Sequence, residues 1–511
     1  MKTIHQITLA LAWVLSTLAG APLVQAQSTP EVRIDAGMLE GIRERDMQVF
    51  RGIPYARPPV GDLRWQPPLP VAAWEGTRKA TAFGPACMQG PRPGIGETSE
   101  DCLTLNVFTP ADARPGANLP VMVWVHGGGF TGGSGAGFDG AAFTRDGVIL
   151  VTFNYRLGLF GIFAHPELEP LDNAQPWANY AVLDMVEVLK WVQHNISEFG
   201  GNPGRVTIFG ESAGAMGVHL LMTTPSAKNL FHGAIAQSGY GTWPLPRAER
   251  ASKLPGSPTA EQQTLAAIST IAPGRQLKRQ DLKALPAALL ANAVSGFLLP
   301  VVDGVIIEDE PGIVFAQGRQ HKVPYITGAN GFDGVVLRGS GVDAKAYWES
   351  WSEKADEIRK LYASDFAQSE EQGIARLFGD QRYGYAGHWT ADQMSRAGIP
   401  TWLYYYDYLP AAQRSELPGA PHGGELAGIF DVPNIGDEQR AMGATIRGYW
   451  INFARTGNPN YLGGDGAPWP VFDADDQWMV FRDGAKAQSG VLKDKLALIG
   501  QWYLARIGLK R

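Results

Sequence analysis

The chain has 511 residues, more than one hydrophobic core usually supports, which predicts either a large α/β unit with insertions or two domains. Hydrophobic residues make up 45% of the chain and charged residues only 18%, which excludes extensive disorder. The formal net charge of −6 offers no basic surface for nucleic acid, and the 62 glycines and 36 prolines indicate many tight turns.

The N-terminus has the three regions of a secretory signal peptide. Lys2 supplies a positive charge, Ile7–Leu18 is mostly apolar, and small residues precede a cleavage point after Ala26. The apolar run is short for a membrane anchor of about 20 residues, and no later segment is long and apolar enough to span a bilayer. We therefore expect cleavage of residues 1–26 and export of residues 27–511 to the periplasm or the extracellular space.

Cys87 and Cys102 are the only cysteines in the chain. An even pair in an exported protein favours a disulfide. A metal site is the alternative, but the loop between the two cysteines contains no histidine, no further cysteine and no cluster of aspartates. We expect no metal site there.

Strand and helix patterns alternate along the chain. Val32–Ile42 and Met47–Phe50 alternate in polarity like a β-hairpin. The other predicted strands are Val121–Val125, Val148–Phe153, Val206–Phe209, Ala234–Gln237, Val323–Gly328 and Thr401–Tyr408, and the predicted helices are Asn179–Glu198, Ala213–Met222, Ala344–Asp365 and Ser369–Phe378. This alternation predicts an α/β fold with a mostly parallel central sheet, flanking helices and helical insertions.

The pentapeptide Gly210–Gly214 reads GESAG and has the form G-x-S-x-G. A bare match can be a glycine-rich turn, but here a predicted strand precedes the pentapeptide and a predicted helix follows it. Such a sharp turn strains the backbone at Ser212, and side chains two residues before or after would clash, so both positions are glycine. The Ser212 hydroxyl would then stand at a helix N-terminus, where the helix dipole favours negative charge. We predict that Ser212 is a nucleophile.

A second glycine-rich segment, His126–Phe130 with the sequence HGGGF, follows the predicted strand Val121–Val125. A flexible turn is the simpler interpretation. Together with the GESAG turn, however, the segment indicates an oxyanion hole, because glycines let backbone N–H groups approach a tetrahedral oxyanion without obstruction. The N–H of Ala213, the residue after the nucleophile, should join them.

A serine nucleophile needs a histidine base and an acid, in the chain order Ser, Asp or Glu, His. The downstream histidines are His219, His232, His321, His388 and His422. Of these, His422 lies in a Gly/Pro loop beyond the strand Thr401–Tyr408, where a catalytic base is expected. Asp333 follows the strand that ends at Gly328, and ligand sites assemble at such strand ends. By their position in the chain alone, Asp303 and Asp309 are also candidates for the acid. A role in turns is the simpler interpretation of both.

These motifs resemble those of the type-B carboxylesterases, the group that includes cholinesterases and bacterial para-nitrobenzyl esterases. The resemblance covers nearly all of residues 27–511. The motifs that carry it, in chain order, are Phe50–Ala56, Glu100–Leu103, Leu105–Val107, His126–Phe130, Asn154–Gly158, Asn195–Gly214, Pro300–Gly304, His422-Gly423 and Thr456–Asn460.

The resemblance implies an α/β-hydrolase fold in a single catalytic domain, and a bacterial, exported serine esterase that needs no cofactor. It implies Ser212 as nucleophile, Asp333 as acid and His422 as base. The further roles that it implies are oxyanion donors at Gly128, Gly129 and Ala213, a Cys87–Cys102 disulfide, an Arg51–Glu100 ion pair, a supporting Ser238 beside the acid and a Glu211 that tunes the electric field of the site.

Two features depart from the family pattern. The acid is most often Glu in the family, and Asp333 is one methylene shorter. The loop between Cys87 and Cys102 lacks the Trp with which cholinesterases bind a quaternary ammonium group, which disfavours choline esters. Trp243 is a candidate for the acyl pocket, and residues 344–388 for part of the wall of the site.

The expected function is hydrolysis of a small-molecule carboxylic ester through an acyl-enzyme on Ser212. One alternative is a non-catalytic adhesion module, since some relatives of this fold have lost the triad. A lipase or a peptidase on the same scaffold is another.

Overall fold

A computed structural model describes residues 29–170, 172, 175–249, 259–460 and 466–509. The predicted signal peptide lies outside these residues. The centre of the described structure is an 11-stranded sheet. Its strands are β1 (Ile42–Glu44), β2 (Met47–Pro54), β3 (Thr104–Pro110), β4 (Leu119–Val125), β5 (Ile149–Phe153), β6 (Gly201–Glu211), β7 (Gly233–Gln237), β8 (Tyr325–Asn330), β9 (Thr401–Tyr406), β10 (Gln477–Phe481) and β11 (Ala485–Ser489).

The strands of this sheet lie in the order β1-β2-β3-β5-β4-β6-β7-β8-β9-β10-β11. Every neighbouring pair from β5 across to β10 is parallel, and the pairs at the two edges are antiparallel. In β4, Val121, Val123 and Val125 pack into the core on one face, whereas Met122 and Trp124 pack into the core on the other. Both faces are therefore buried, which explains why this strand is continuously apolar. The prediction of a mostly parallel α/β sheet is confirmed.

Helices cover both faces of the sheet. They are α1 (Ala141–Arg145), α2 (Gly158–Gly161), α3 (Tyr180–Asn195), α4 (Ala213–Thr223), α5 (Ala260–Ile271), α6 (Arg279–Lys283), α7 (Ala287–Ala291), α8 (Pro311–Ala316), α9 (Ala344–Glu349), α10 (Ala355–Leu361), α11 (Ala363–Gln368), α12 (Glu370–Gly379), α13 (Tyr385–Arg396), α14 (Leu426–Ile429), α15 (Asp437–Thr456) and α16 (Lys493–Ile507). None of the helices within the described ranges has both the length and the hydropathy needed to cross a bilayer.

Two segments differ from their predicted form. The N-terminal region contains two hairpins, because Glu31–Ile34 pairs with Gly37–Glu40 while β1 pairs with β2. The predicted helix Ala344–Asp365 is broken into α9, α10 and the start of α11. The first break follows α9, where the Ser350 hydroxyl donates to the Tyr347 carbonyl at 2.6 Å and the next residue, Trp351, is buried against Trp502. Tertiary packing of this Trp therefore outweighs local helical propensity.

The prediction of an ion pair between Arg51 and Glu100 is wrong. Arg51 instead makes two hydrogen bonds to Glu44, at 2.7 and 2.6 Å. Glu100 accepts a hydrogen bond from Nε of Arg64 at 2.7 Å. The same guanidinium donates a hydrogen bond to the carbonyl oxygen of Leu285 at 2.8 Å. That carbonyl comes from a distant part of the chain and orients Arg64 towards Glu100, which no local motif could indicate.

The expected disulfide between Cys87 and Cys102 is present, and both residues are buried. It closes a loop with a sequence separation of 15 residues. A loop of this length contributes about 3 kcal/mol to the free energy of unfolding in the chain-entropy description. The bridge links Cys87 to the segment that carries Glu100 and leads into β3.

Candidate active site

Three strands of the main sheet bring Ser212, Asp333 and His422 to the same edge. Ser212 directly follows β6 and precedes α4, and Asp333 comes three residues after β8. His422 lies in the loop that follows β9, the strand paired in parallel with β8. The carboxyl ends of parallel strands meet at one sheet edge, and binding crevices of open α/β sheets form there.

The backbone at Ser212 is strained in the manner expected for the strand-to-helix turn. Its φ and ψ angles are 57° and −122°, a conformation that non-glycine residues rarely adopt. A Cβ on Gly210 would lie 2.6 Å from the backbone of Gly214, and a Cβ on Gly214 would overlap the Val125 carbonyl oxygen. The two glycines of the pentapeptide are therefore needed sterically, and the strain is held by the surrounding backbone.

Asp333 and His422 form a short hydrogen bond. Nδ1 of His422 lies 2.6 Å from Oδ1 of Asp333. The other carboxylate oxygen, Oδ2, accepts the Ser238 hydroxyl at 2.9 Å and the Asn330 N–H at 2.8 Å. Among the described residues Nε2 of His422 makes no hydrogen bond, although an oxygen of Glu211 lies within 3.1 Å of it. Asp333 thus orients the imidazole, and Ser238 and the Asn330 backbone orient Asp333.

The other aspartates and histidines considered for the acid and the base have hydrogen-bond or ionic partners away from Ser212. Asp303 accepts three backbone N–H groups in a turn, and Asp309 pairs with Arg247. The remaining downstream histidines each have a partner away from Ser212: His219 contacts Tyr325, His232 contacts Val206, His321 contacts Thr224 and His388 contacts Asp476. Of the candidate histidines, the structure brings only His422 to Asp333.

The HGGGF segment curls beside Ser212. A Cβ on Gly127 would lie 3.2 Å from the Cβ of Ser212. Gly128 and Gly129 have φ angles of +113° and +65°, and side chains there would overlap the Gly132 carbonyl and the Phe297 ring. The segment therefore tolerates only glycine at these positions, and its backbone closely approaches the serine.

Two further buried carboxylates surround the imidazole. Glu211 places Oε1 3.1 Å from Nε2 of His422, and burial raises its pKa to about 8. Glu425 accepts hydrogen bonds from Gln237 at 2.9 Å and from Asn330 at 2.6 Å, and burial raises its pKa too. Glu425 is a residue that the sequence reasoning missed. Its position three residues after His422 in the same Gly/Pro loop is the signal that could have identified it.

The charge state of His422 is set by opposing effects. Burial lowers the pKa of the imidazole, but the negative charges of Glu211 and Asp333 and the Asp333 hydrogen bond raise it to about 9. The carboxylates therefore favour the imidazolium that forms when His422 accepts a proton. A base must be neutral before it accepts that proton, so activity is expected to increase as the pH rises through this pKa.

Replacing Glu211 with Gln should move the acid limb of the kcat/KM profile to lower pH by about 1 pH unit or more. The substitution removes a negative charge that stabilises the imidazolium, so His422 loses its proton at lower pH. The profile is measured with a soluble ester, and E371Q, which changes an exposed Glu that pairs with Arg338, is the control. An unchanged limb in E211Q would show that Glu211 does not set the pKa of His422.

The segment that follows α12 contributes to the wall of the site. Asp380–Gly384 forms a π-helical turn, a form that often occurs at functional sites. Its Tyr383 ring lies 4.7 Å from the His422 ring, between centroids. Trp243 packs edge-on against Phe378 at 5.4 Å. Residues 344–388 therefore reach His422, and their place in the wall of the site stays a prediction.

A metal site requires several His, Cys, Asp or Glu side chains close together. In the part of the chain that the structure describes, no cluster of three or more His, Cys, Asp or Glu side chains is suited to a metal ion. Asp333 and Glu425 are held by hydrogen bonds from side chains and backbone. The arrangement has the parts needed for nucleophilic attack by a serine and proton transfer by a histidine.

Comparisons with known proteins agree with this geometry. The sequence matches the carboxylesterase family over residues 28–498. It is 35% identical to the fumonisin B1 esterase of Sphingopyxis macrogoltabida, with 94% of this chain and 92% of that protein covered. Its identity to carboxylesterase 1D of Rattus norvegicus is 34%, with 89% of each chain covered.

Solved structures show the same fold. A para-nitrobenzyl (PNB) esterase superposes with a TM-score of 0.77 at 29% identity, covering 92% of this chain and all of that one. A carboxylesterase of Geobacillus stearothermophilus superposes with a TM-score of 0.75 at 30% identity, covering 91% and 99%. The fold is thus that of the α/β-hydrolases, and the chain belongs to the carboxylesterase family.

Proposed function

We propose that this carboxylic ester hydrolase acts through Ser212 as nucleophile, His422 as general base and Asp333 as the acid that orients His422. The observation that carries the proposal is the 2.6 Å contact between Asp333 and His422 at the sheet edge where the strained Ser212 also lies. An imidazole oriented by a carboxylate, at the same sheet edge as a strained serine, is the arrangement expected to activate a hydroxyl for attack on an ester.

The reaction proceeds in two steps. Oγ of Ser212 attacks the ester carbonyl carbon while Nε2 of His422 takes the hydroxyl proton, and Asp333 stabilises the imidazolium. The backbone N–H groups of Gly128, Gly129 and Ala213 bind the developing oxyanion. The C–O bond then breaks, His422 returns the proton to the departing alcohol, and the acyl group remains on Ser212. Water activated by His422 hydrolyses this acyl-enzyme and releases the acid.

The non-catalytic alternative from the sequence has no support in this geometry. An adhesion module of this fold would have lost members of the triad, whereas here all three positions are filled and Asp333 is hydrogen-bonded to His422. Glu211 and Ser238 complete the environment: Glu211 acts on the charge of His422, and Ser238 holds Asp333.

Covalent labelling tests the nucleophile directly. A 4-nitrophenyl alkylphosphonate should phosphonylate Ser212 and add the mass of the phosphonyl group to the peptide that carries it. The S212A variant should remain unlabelled under the same conditions, because its alanine has no hydroxyl to attack phosphorus. A label on another serine of the wild-type protein would contradict the assignment.

We also propose that the protein is a bacterial enzyme exported as one catalytic domain of residues 27–511. The N-terminal charge and the apolar run Ile7–Leu18 support export, as does the Cys87–Cys102 bridge, since disulfides persist mainly outside the cytosol. Strands of one continuous sheet, from residue 42 to residue 489, support a single domain.

Expression of the full-length chain in a bacterial host should yield a mature protein that begins at Gln27 in the periplasm or the medium. Mass spectrometry of the intact protein from each cell fraction checks this. Matched expression of residues 27–511 without the leader should leave the protein in the cytoplasm. A full-length chain that stays uncleaved in the cytoplasm would refute the export proposal.

A further inference from the structure

Gln89 is a buried glutamine on the loop that the Cys87–Cys102 bridge closes. The residue is 5% exposed. Its Nε2 donates to the carbonyl oxygens of Gly133 at 2.9 Å and of Cys87 at 3.0 Å, and its Oε1 accepts the N–H of Gly133 at 2.9 Å. The side-chain amide therefore forms a reciprocal pair of hydrogen bonds with Gly133, and the Cys87 carbonyl holds the amide in that orientation.

Gly133 relies on Gln89 to satisfy its backbone polar groups. Within the described ranges, the N–H and the carbonyl oxygen of Gly133 form no other hydrogen bond. Its φ angle is +113°, and a Cβ at this position would overlap Nδ1 of His126 and would lie 2.6 Å from the carbonyl oxygen of Gly127. Gly133 thus packs directly on the first two residues of the HGGGF segment, and Gln89 holds it there.

The peptide between Gly127 and Gly128 carries the first proposed oxyanion donor. Its carbonyl oxygen lies against Gly133 and 2.9 Å from Nδ1 of His126. Burial lowers the pKa of His126 to about 4, so the ring is neutral and can donate one N–H to this oxygen. Because the peptide is trans, its N–H points away from its carbonyl oxygen. Holding the oxygen therefore fixes the direction of the Gly128 N–H.

The next peptide, between Gly128 and Gly129, is oriented by the turn that leads to Gly133. The carbonyl oxygen of Gly128 accepts the N–H groups of Thr131 and Gly132, each at 3.1 Å. These two residues directly precede Gly133 in the chain, so the far end of the turn is the residue that is held from the disulfide-closed loop. The direction of the Gly129 N–H, the second proposed donor in this segment, follows from the orientation of this turn.

We propose, on the basis of the proposed ester hydrolysis, that Gln89 is a positioning residue for the oxyanion hole. It does not touch the substrate. It holds Gly133, and through Gly133 it holds the peptides whose N–H groups are the proposed donors. Such donors stabilise an oxyanion because they need not reorient as the charge develops, and misplacing groups of an active site by about 1 Å can cost about 10²-fold in rate. The disulfide-closed loop thus contributes to transition-state stabilisation.

Replacement of Gln89 with Met, which is similar in length but has no amide, tests this role. Q89M should lower kcat for 4-nitrophenyl acetate on the order of 30-fold with little change in KM, because the donors act mainly on the oxyanion of the transition state. Q193M is the matched control, since Gln193 also donates two hydrogen bonds to carbonyl oxygens, those of Pro203 and Leu230. These lie at the opposite end of β6 and β7 from Ser212, so Q193M should keep the wild-type kcat.

A pair of ketones separates lost oxyanion stabilisation from general damage to the site. The ketone 1,1,1-trifluorooctan-2-one should react with Ser212 to form a tetrahedral adduct that carries an oxyanion, so its affinity for Q89M should fall by the same factor as kcat/KM. Octan-2-one binds without forming this adduct and should keep its inhibition constant. The acid limb of the kcat/KM profile should stay at the wild-type pH, because the carboxylates around His422 are unchanged.

The outcomes separate this proposal from the catalytic one. A wild-type kcat in folded Q89M would overturn the role of Gln89, as would a loss confined to KM or an equal loss of affinity for both ketones. If Q89M does not fold, Q89N decides by the same measurements, because it keeps an amide but is one methylene too short to reach Gly133. Phosphonate labelling of Ser212 in the wild type shows that the catalytic assignment stands whatever Q89M does. Failure of that labelling would instead refute the catalytic assignment.

Discussion

Substitution of Ser212 by Ala should lower kcat for a soluble ester by roughly 10⁶-fold. The change removes one oxygen atom, the one proposed to form the bond to the acyl group, and the neighbouring backbone has no other nucleophile to replace it. The variant should still hydrolyse the ester about 10³-fold faster than the uncatalysed reaction, because the proposed oxyanion donors and the binding site are intact.

Steady-state hydrolysis of 4-nitrophenyl acetate measures this effect, with thermal unfolding as the check on the fold. Ala should be tolerated at position 212, since the residue is small and its strained turn is held by neighbouring backbone. Ser489→Ala, at an exposed position at the end of β11, is the matched control and should keep full activity. An S212A protein with more than a few per cent of wild-type kcat would mean that another group attacks the ester.

Substitution of Asp333 by Asn should lower kcat by about 10⁴-fold with little change in the fold. An amide can donate an N–H to Nδ1 of His422, and this stabilises the tautomer whose Nε2 carries the proton and cannot accept one from Ser212. The imidazolium would also lose a carboxylate 2.6 Å away that stabilises it. Both effects act on the transition state, so kcat rather than KM should change.

Asp333→Glu is the matched control for charge. Glutamate is the acid most often found in related esterases, and it keeps the negative charge while adding one methylene. We expect D333E to retain far more activity than D333N, although Ser238 and the Asn330 N–H are positioned for the shorter side chain. Equal losses in D333E and D333N would show that side-chain length, not charge and tautomer, is decisive at this position.

Much of the proposed site is predictable because its motifs are local. The strand-turn-helix around Ser212 requires glycines at fixed offsets, and the strained φ of 57° is the physical reason for that pattern. The HGGGF segment likewise contains glycines where a Cβ would overlap its neighbours. Such constraints act within a few residues, so they are visible in the sequence alone.

Partners that are distant in sequence are less predictable. Glu100 pairs with Arg64 and not with Arg51, and the guanidinium of Arg64 also donates to the carbonyl of Leu285, which is more than 200 residues away along the chain. Apart from its closeness to His422, nothing in the local sequence indicates that Glu425 is buried. Its hydrogen-bond donors, Gln237 and Asn330, come from two other strands. Each of these choices depends on a chain segment brought in by the fold.

The sequence by itself determined the fold class, the family and the three residues proposed for the triad, because hydrophobic periodicity and short motifs encode them directly. Only the tertiary structure decided how the carboxyl groups are distributed around His422 and where Arg382 lies. Its guanidinium is buried by rings from three separate segments of the chain, and no segment alone shows this burial. Pairing and desolvation of charges depend on the whole packed interior, whereas a turn depends on its own backbone.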